Sequence, residues 1–133
     1  VNELVVSHRQ AWTDAGCPGG EQPPVGLLRN LWIADSEAQR RQALDWVRSS
    51  YLVYAGLGWG ADDTGVDFRA QIEASMDEVE ASAIVGSADQ VADELAQYDV
   101  DLVIARIGYD QPPRSALTEV IERIGTELVG MVA

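Results

Sequence analysis

Apolar residues recur along the chain in two patterns, and each pattern predicts a different kind of element. A spacing of three or four residues predicts four amphipathic helices, at residues 2–15, 36–55, 87–98 and 115–128. Short continuous apolar runs predict three buried strands, at residues 25–33, 81–85 and 101–107. Because helices and strands alternate, the sequence predicts an α/β fold with parallel strands joined by crossover helices.

Three serines mark the predicted helix starts. Ser36 is followed three residues later by Gln39, and Ser87 is followed in the same way by Gln90. A serine with glutamine three positions on is the signature of a capping box, in which each side chain binds a backbone N–H of the other residue. Ser115 is the predicted cap of the last helix.

The first predicted helix places Leu4, His8, Trp12 and Ala15 on one face. His8 is the only histidine of the chain, and no acid or nucleophile accompanies it at a recognisable spacing. A histidine on an apolar helical stripe is more often packed than catalytic. We therefore expect His8 to pack against the core.

Residues 59–81 are long for a connection between two regular elements, and their sequence is polar and only weakly helical. Such a segment is typical of an insertion or a lid. Its carboxylates, at positions 62, 63, 77, 78 and 80, match no metal-binding spacing, so we expect a solvated acidic surface and no bound metal.

The charge of the chain limits its partners. The formal net charge is −13, and all nine basic residues are arginine. A surface this acidic argues against nucleic acid or an anionic membrane as a partner. Two explanations stay open: adaptation to high salt, where carboxylates keep a chain soluble, and the base composition of a GC-rich genome, which favours arginine over lysine.

Nothing in the sequence indicates export or insertion into a membrane. No apolar run reaches the length of a membrane span, and no secretory leader is recognisable. Cys17 is the single cysteine, which excludes an internal disulfide, and no base lies near it in the sequence. We therefore expect a cytoplasmic protein without a catalytic thiol.

Three parallel strands leave two open edges, and the strands predicted at 25–33 and 102–107 are mostly apolar rather than guarded by charge or proline. We expect these edges to be covered, either by further strands of a longer chain or by a second copy of this one. A closed eight-stranded barrel of this class takes roughly 250 residues, so three strands supply only a part of one.

Two segments closely resemble the last part of the bacterial luciferase-like monooxygenases. The first is IVGSADQVADEL at 84–95, and the second is DLVIAR at 101–106. The ending IGTEL at 124–128 is similar to the last helix of that family. The chain departs from the family pattern at Ala88, where the family has proline, and at Asp99, where it has glycine.

The resemblance implies that residues 1–133 form the C-terminal part of a TIM-type (β/α)8 barrel, contributing about three parallel strands with flanking helices. It implies a reduced flavin, FMN or alternatively F420, which reacts with O2 to oxygenate a small organic substrate, and a flavin reductase as a possible partner. The chain alone is then expected to be inactive. The alternative is a non-catalytic half-barrel that binds flavin or dimerises through its strand edges.

In such barrels the chemistry lies at the carboxyl ends of the strands. This placement makes Arg106, Gly86 and Ser87 the candidate cofactor-binding residues, and Trp59 and Tyr109 the candidate substrate pocket. Arg106 offers a permanent, forked donor to a flavin carbonyl or a substrate anion, although an ion pair with a carboxylate of the barrel is the simpler role. Ser87 is also explained as a helix cap. No residue emerges as a catalytic acid, base or nucleophile.

Overall fold

The computed structural model describes residues 1–16, 22–58, 67–108 and 112–132. The fold is α/β, as the sequence predicts. Its strands are β1 (Gly26–Ile33), β2 (Ala83–Gly86) and β3 (Leu102–Arg106). Its helices are α1 (Asn2–Asp14), α2 (Glu37–Gly56), α3 (Phe68–Ala74), α4 (Asp77–Ala81), α5 (Ala88–Leu95), α6 (Arg114–Arg123), a π-helical turn (Ile124–Leu128) and α7 (Val129–Val132).

The sheet is parallel and has the order β2-β1-β3. The second half of β1 pairs with β2, from Asn30 opposite Ala83 to Ile33 opposite Gly86. The first half pairs with β3, from Gly26 opposite Leu102. The expectation of an open edge on the first strand is therefore wrong, because β1 is central and the edges belong to β2 and β3. Neighbours in a barrel follow chain order, and the order seen here differs from that.

Helices cover both faces of the sheet. Successive side chains of β1 point to opposite faces, so alternate residues of this strand pack into two separate cores. On one side Trp32 packs with Leu44, Val47 and Tyr51 of α2 and with Val120 of α6. On the other side Leu31 and Ile33 pack with Val91 and Leu95 of α5 and with Leu128 of the π-helical turn. The last helix thus contributes to both cores. Among the described helices, none is long and apolar enough to cross a membrane.

Part of the segment expected to be an insertion or lid belongs to the core. Residues 59–66 lie outside the described part of the chain, but the rest forms α3 and α4. Ile72 and Val79 are almost fully buried in the core against α2. Arg48 of α2 donates from Nε to the Ile72 carbonyl at 3.0 Å and from Nη2 to the Glu73 carbonyl at 2.8 Å, which fastens the end of α3.

The first helix uses a different face from the predicted one. Val5 is its buried residue, whereas Leu4 is 75% exposed and His8 is exposed as well, so the expected packing of His8 is wrong. Three consecutive apolar residues at positions 4–6 leave the helical phase ambiguous in the sequence. Arg9 fixes the helix by pairing with Asp99, in the connection before β3.

Two of the three predicted helix caps are confirmed. Ser87 and Gln90 form the full capping box at the start of α5. At α2, Ser36 accepts from the backbone of Gln39, whose side chain accepts from the Asp35 N–H instead of closing back on Ser36. The prediction for the last helix is wrong, because α6 begins at Arg114 with Pro113 as its N-cap. Ser115 lies inside the first turn.

Candidate functional site

Arg106 is the last residue of β3, and the register places it opposite Asn30 of the central strand. Its Nε donates a hydrogen bond to Asn30 Oδ1 at 2.7 Å, and its Nη2 donates to the Tyr51 hydroxyl at 3.3 Å. Two contacts at different nitrogens fix both the position and the plane of a guanidinium. The side chain is therefore oriented before any ligand arrives.

A buried hydrogen-bond chain continues from Arg106 into the fold. Asn30 Nδ2 donates to the Tyr51 hydroxyl at 2.8 Å, this hydroxyl donates to Ser82 Oγ at 2.8 Å, and Ser82 Oγ donates to the Val79 carbonyl at 2.8 Å. Asn30 and Tyr51 are 2% and 6% exposed, so each of these polar groups needs a protein partner. The chain connects β3, β1, α2 and the α4–β2 junction into one rigid support for the guanidinium.

Two tyrosine rings of α2 flank the same cation. The Arg106 Cζ atom lies 5.5 Å from the centroid of the Tyr51 ring and 5.8 Å from that of the Tyr54 ring. Both distances fall within the range of cation–π attraction, which contributes about 0.5–2 kcal/mol depending on how far the site is desolvated. The rings hold the charge without neutralising it.

Arg106 differs from several other arginines in its lack of a counter-ion. Arg9, Arg40, Arg69 and Arg123 each form an ion pair with at least one carboxylate. Among the residues that the structure describes, no carboxylate forms an ion pair with Arg106. The ion-pair role that the sequence allowed for this residue therefore has no partner in the described ranges, where the guanidinium keeps its positive charge unpaired in a chain of net charge −13.

A cavity of about 530 Å³ opens beside this cation, lined in the described ranges by Tyr54, Leu57, Gly58 and Arg106. Leu57 is 79% exposed at its mouth. On the adjoining part of the sheet Ile104 is 50% exposed, and it lies on the same face as Arg106 because the two are two residues apart in a strand. The cavity thus combines one oriented cation with aromatic and aliphatic walls.

The structure does not bring Gly86 and Ser87 to Arg106. Gly86 ends β2, on the opposite edge of the sheet, and a Cβ there would lie 2.7 Å from Gln90 Oε1. The close approach of Gln90 explains this glycine, and the capping box explains Ser87. Both residues line a separate cavity of about 380 Å³, together with Asp35, Glu37 and Arg40. Arg40 lies 4.0 Å from Glu37 and 3.5 Å from Glu80, so carboxylates already offset its attraction for an anion.

The candidate substrate residues Trp59 and Tyr109 lie outside the described residues. No group of metal-ligating side chains occurs in the ranges that the structure describes. The site therefore consists of Arg106, its supports Asn30 and Tyr51, and the cavity wall at Tyr54 and Leu57.

Sequence reasoning missed the part played by Asn30. The signal was present, because Asn30 is the single uncharged polar residue within the apolar run of β1. A buried amide in a central strand needs partners, and it therefore indicates a polar network at that position. Tyr51 and Tyr54 lie at helical spacing, which in the sequence indicates core residues and does not distinguish their place beside the cation.

Comparison with known proteins adds no family to this description: no protein-family model matches the chain, and no curated protein matches it either.

Proposed function

We propose that this chain binds a small organic ligand at Arg106, through an anionic or carbonyl oxygen of that ligand. The observation that carries the proposal is a guanidinium held by Asn30 and Tyr51 with no carboxylate paired to it in the described residues. Arginine presents forked donors that match carboxylate, phosphate and carbonyl oxygens. A pre-oriented cation binds such a group without the entropy loss of ordering a flexible side chain.

The walls of the site favour a ligand with an apolar or aromatic body. Tyr54 and Leu57 line the cavity beside the guanidinium, and Ile104 adds exposed apolar surface on the adjoining strand. Small-molecule sites typically combine apolar walls with a few placed polar groups. An amphipathic anion fits this combination better than a free inorganic ion.

A flavin is the specific ligand that we propose, and the chain is then the cofactor-binding part of a flavin-dependent oxidoreductase. The donor set fits, since flavin ring carbonyls and the phosphate of FMN or F420 are acceptors for Arg106, and a planar ring fits an aromatic wall. The sequence resemblance at 84–106 supports the assignment. When bound, a reduced flavin supplies the redox chemistry with O2 or substrate. Arg106 would hold its oxygen atom, and the apolar wall would exclude water.

Closure into a TIM-type barrel is a further step of this proposal, and it would require a different order of strands in the sheet. Neighbouring strands of a barrel follow chain order, so β2 and β3 would have to pair with each other. Here β1 separates them, and helices cover both faces. Flavin binding at Arg106 does not require that closure, because all the described contacts of the guanidinium lie within the present sheet and α2.

The proposal has two levels: an amphipathic ligand binds at Arg106, and this ligand is a flavin. Fluorescence titrations with FMN, F420 and anilinonaphthalene sulfonate, an amphipathic aromatic anion, test both. Loss of a charge-assisted hydrogen bond changes a binding free energy by about 1.5–3 kcal/mol, so we expect R106Q to weaken binding at least tenfold. R41Q removes the same charge from an exposed position on α2 and serves as the control. R106K keeps the charge without the fork and should be intermediate.

The outcomes separate the two levels. Arg106-dependent binding of FMN or F420 supports the flavin proposal. Arg106-dependent binding of the sulfonate alone leaves an amphipathic-anion site and removes the flavin. Equal binding by wild type, R106Q and R41Q for all three probes contradicts both.

A second candidate function is association through the open edge of β3. Leu102 and Ile104 are 56% and 50% exposed on this edge strand, and Leu28 beside them on β1 is 52% exposed. Exposed apolar edges favour strand pairing with another chain, and a second copy is the simplest partner. Because each copy has a charge of −13, we expect dimers to form only at high salt, where repulsion is screened. Sedimentation velocity of wild type and I104K across a salt series tests this, and monomers at every salt concentration exclude it.

A further inference from the structure

A second cavity, of about 300 Å³, lies at the carboxyl end of β1 between α2 and α6. Trp32 and Ile33 of β1 form its base, Ala43 and Trp46 of α2 one side, and Val120 of α6 the other. Arg106 is not among the described residues that line it, and neither are Tyr54 and Leu57. The cavity is therefore a separate site from the one proposed above.

The position of this cavity in the sheet is the first argument. In the order β2-β1-β3, the connection after β1 leads to β2 on one side of it, and the chain later returns past β1 to form β3 on its other side. Ligands of open α/β sheets bind outside the carboxyl ends of the strands where the direction of strand order reverses. Here that point lies between β1 and β3. The helices that follow these two strands, α2 and α6, are the ones that wall the cavity.

An unpartnered buried donor at the base of the cavity is the second, independent argument. Trp32 is 4% exposed, and its Nε1 has no hydrogen-bond partner among the described residues although it is shielded from water. Buried indole N–H groups usually have a partner. Trp46 stands beside it, with ring centroids 5.0 Å apart and planes at 43°. The cavity thus combines two aromatic surfaces with one unused donor at its base, and the polar side chains of Gln39, Gln42, Glu119 and Arg123 also line it.

We propose that this cavity binds a small planar aromatic molecule bearing a carbonyl oxygen or a ring nitrogen, which accepts a hydrogen bond from Trp32 Nε1. Aromatic walls bind planar rings, and the volume is at the lower end of ligand sites, which suits a one- or two-ring compound. Because Trp32 Nε1 is shielded from solvent in the structure, the proposal includes a small rotation of the indole that turns its N–H into the cavity.

Acetophenone and ethylbenzene form a matched probe pair, because they differ in a carbonyl at the same position of similar skeletons. In ¹⁵N-labelled protein the four tryptophans give four indole N–H signals, and W32F and W46F identify the two of the cavity. We expect acetophenone to shift both signals, with that of Trp32 moving downfield in the proton dimension. A net hydrogen bond predicts acetophenone to bind about two- to tenfold tighter than ethylbenzene.

Two variants keep the test decisive. W32F removes the donor and keeps an aromatic ring, so it should bind both probes equally. A38L narrows the mouth at an exposed helical position that lines the cavity, and it should weaken both probes without disturbing the core. Unmoved Trp32 and Trp46 signals up to the solubility of acetophenone overturn the proposal. Equal affinity of the two probes for wild type overturns it as well. Neither result bears on binding at Arg106.

Discussion

At the scale of single residues, polar groups inside the fold are explained by their partners. Asn30 and Tyr51 would destabilise the core if they were unpaired, and together with Arg106 and Ser82 they form one connected set of hydrogen bonds. The sequence placed Arg106 at a strand end correctly. Its hydrogen-bond partners could not be predicted, because Tyr51 and Asn30 are 55 and 76 residues away in the chain.

The Tyr51 hydroxyl connects Asn30, Ser82 and Arg106, so we predict that the network depends on it. Y51F removes it and leaves the Asn30 amide and Ser82 with unpaired buried polar atoms, so we expect the free energy of unfolding to fall by about 1–3 kcal/mol. Urea denaturation measures the change. Y98F removes the hydroxyl of a half-buried tyrosine that donates no side-chain hydrogen bond in the described residues, and it should change stability by less than about 0.5 kcal/mol. Equal effects of the two variants would contradict this role.

Arg123 links α6 to the end of β1, and this link predicts a pH dependence. Its Nη1 lies 2.9 Å from Asp35 Oδ2, and its Nε donates to Glu127 at 2.7 Å. The hydrogen bond from Arg123 lowers the pKa of the Glu127 carboxyl below its ordinary value of 4.5. A lowered folded-state pKa stabilises the fold above the ordinary value, and the contribution is lost as the pH falls through the folded-state value.

Urea denaturation between pH 7 and pH 3 checks this contribution. We expect wild type to be more stable than E127Q at pH 7, and the difference to shrink as the pH falls below about 4.5. In an R123Q background the pH dependence of the difference should disappear, because the cause of the shift is removed. A difference that stays constant with pH in the wild-type background rules out the pair as its source.

At the scale of elements, local signals predicted the helices and strands, and tertiary contacts decided their ends and faces. Ser36 and Ser87 each accept a hydrogen bond from the residue three positions further along the chain, so both caps were predictable. The buried face of α1 was not, because Leu4, Val5 and Val6 fit two helical phases equally well. Contacts with distant residues, such as Asp99, select the phase in which Val5 is buried.

The two serines Ser87 and Ser115 form a natural pair for testing caps. S87A removes a side chain that accepts from Gln90 N at the start of α5, and it should lower the free energy of unfolding by about 1 kcal/mol. S115A changes a residue within the first turn of α6 and should be close to neutral. Thermal denaturation of both variants compares them directly. A larger loss from S115A would show that Ser115 caps α6 and that the helix begins at Ala116, two residues later than the structure has it.

At the scale of the whole molecule, strand count and direction followed from the sequence, but strand order did not. Alternating elements require parallel strands, yet both β1-β2-β3 and β2-β1-β3 satisfy that pattern. The two orders differ in whether β3 pairs with β2 or with β1. Short apolar runs of similar composition do not specify which strands pair. The contact of Asp101 with Val25, from backbone to backbone at 2.9 Å, places β3 beside β1.

Amide hydrogen exchange tests this order. β1 is paired with β3 along its first half and with β2 along its second half, whereas β2 and β3 each have one edge unpaired in the described residues, so the amides of β1 should exchange most slowly and those of β2 and β3 faster. The order expected for a barrel segment would make β2 central and slowest. NMR-detected exchange resolves the three strands in a single experiment, and slowest exchange in β2 would contradict the observed sheet.

The central claim is that the Arg106 guanidinium binds an oxygen atom of a small ligand, and its own NMR signal tests this claim most directly. In protein labelled with ¹⁵N-arginine, the Nε–H signals of Arg106 and Arg41 are identified by their loss in R106Q and R41Q. Binding of the anilinonaphthalene sulfonate probe, monitored by its fluorescence, should shift the Arg106 signal and leave the Arg41 signal in place. An Arg106 signal that does not move while the probe saturates the protein would contradict the account.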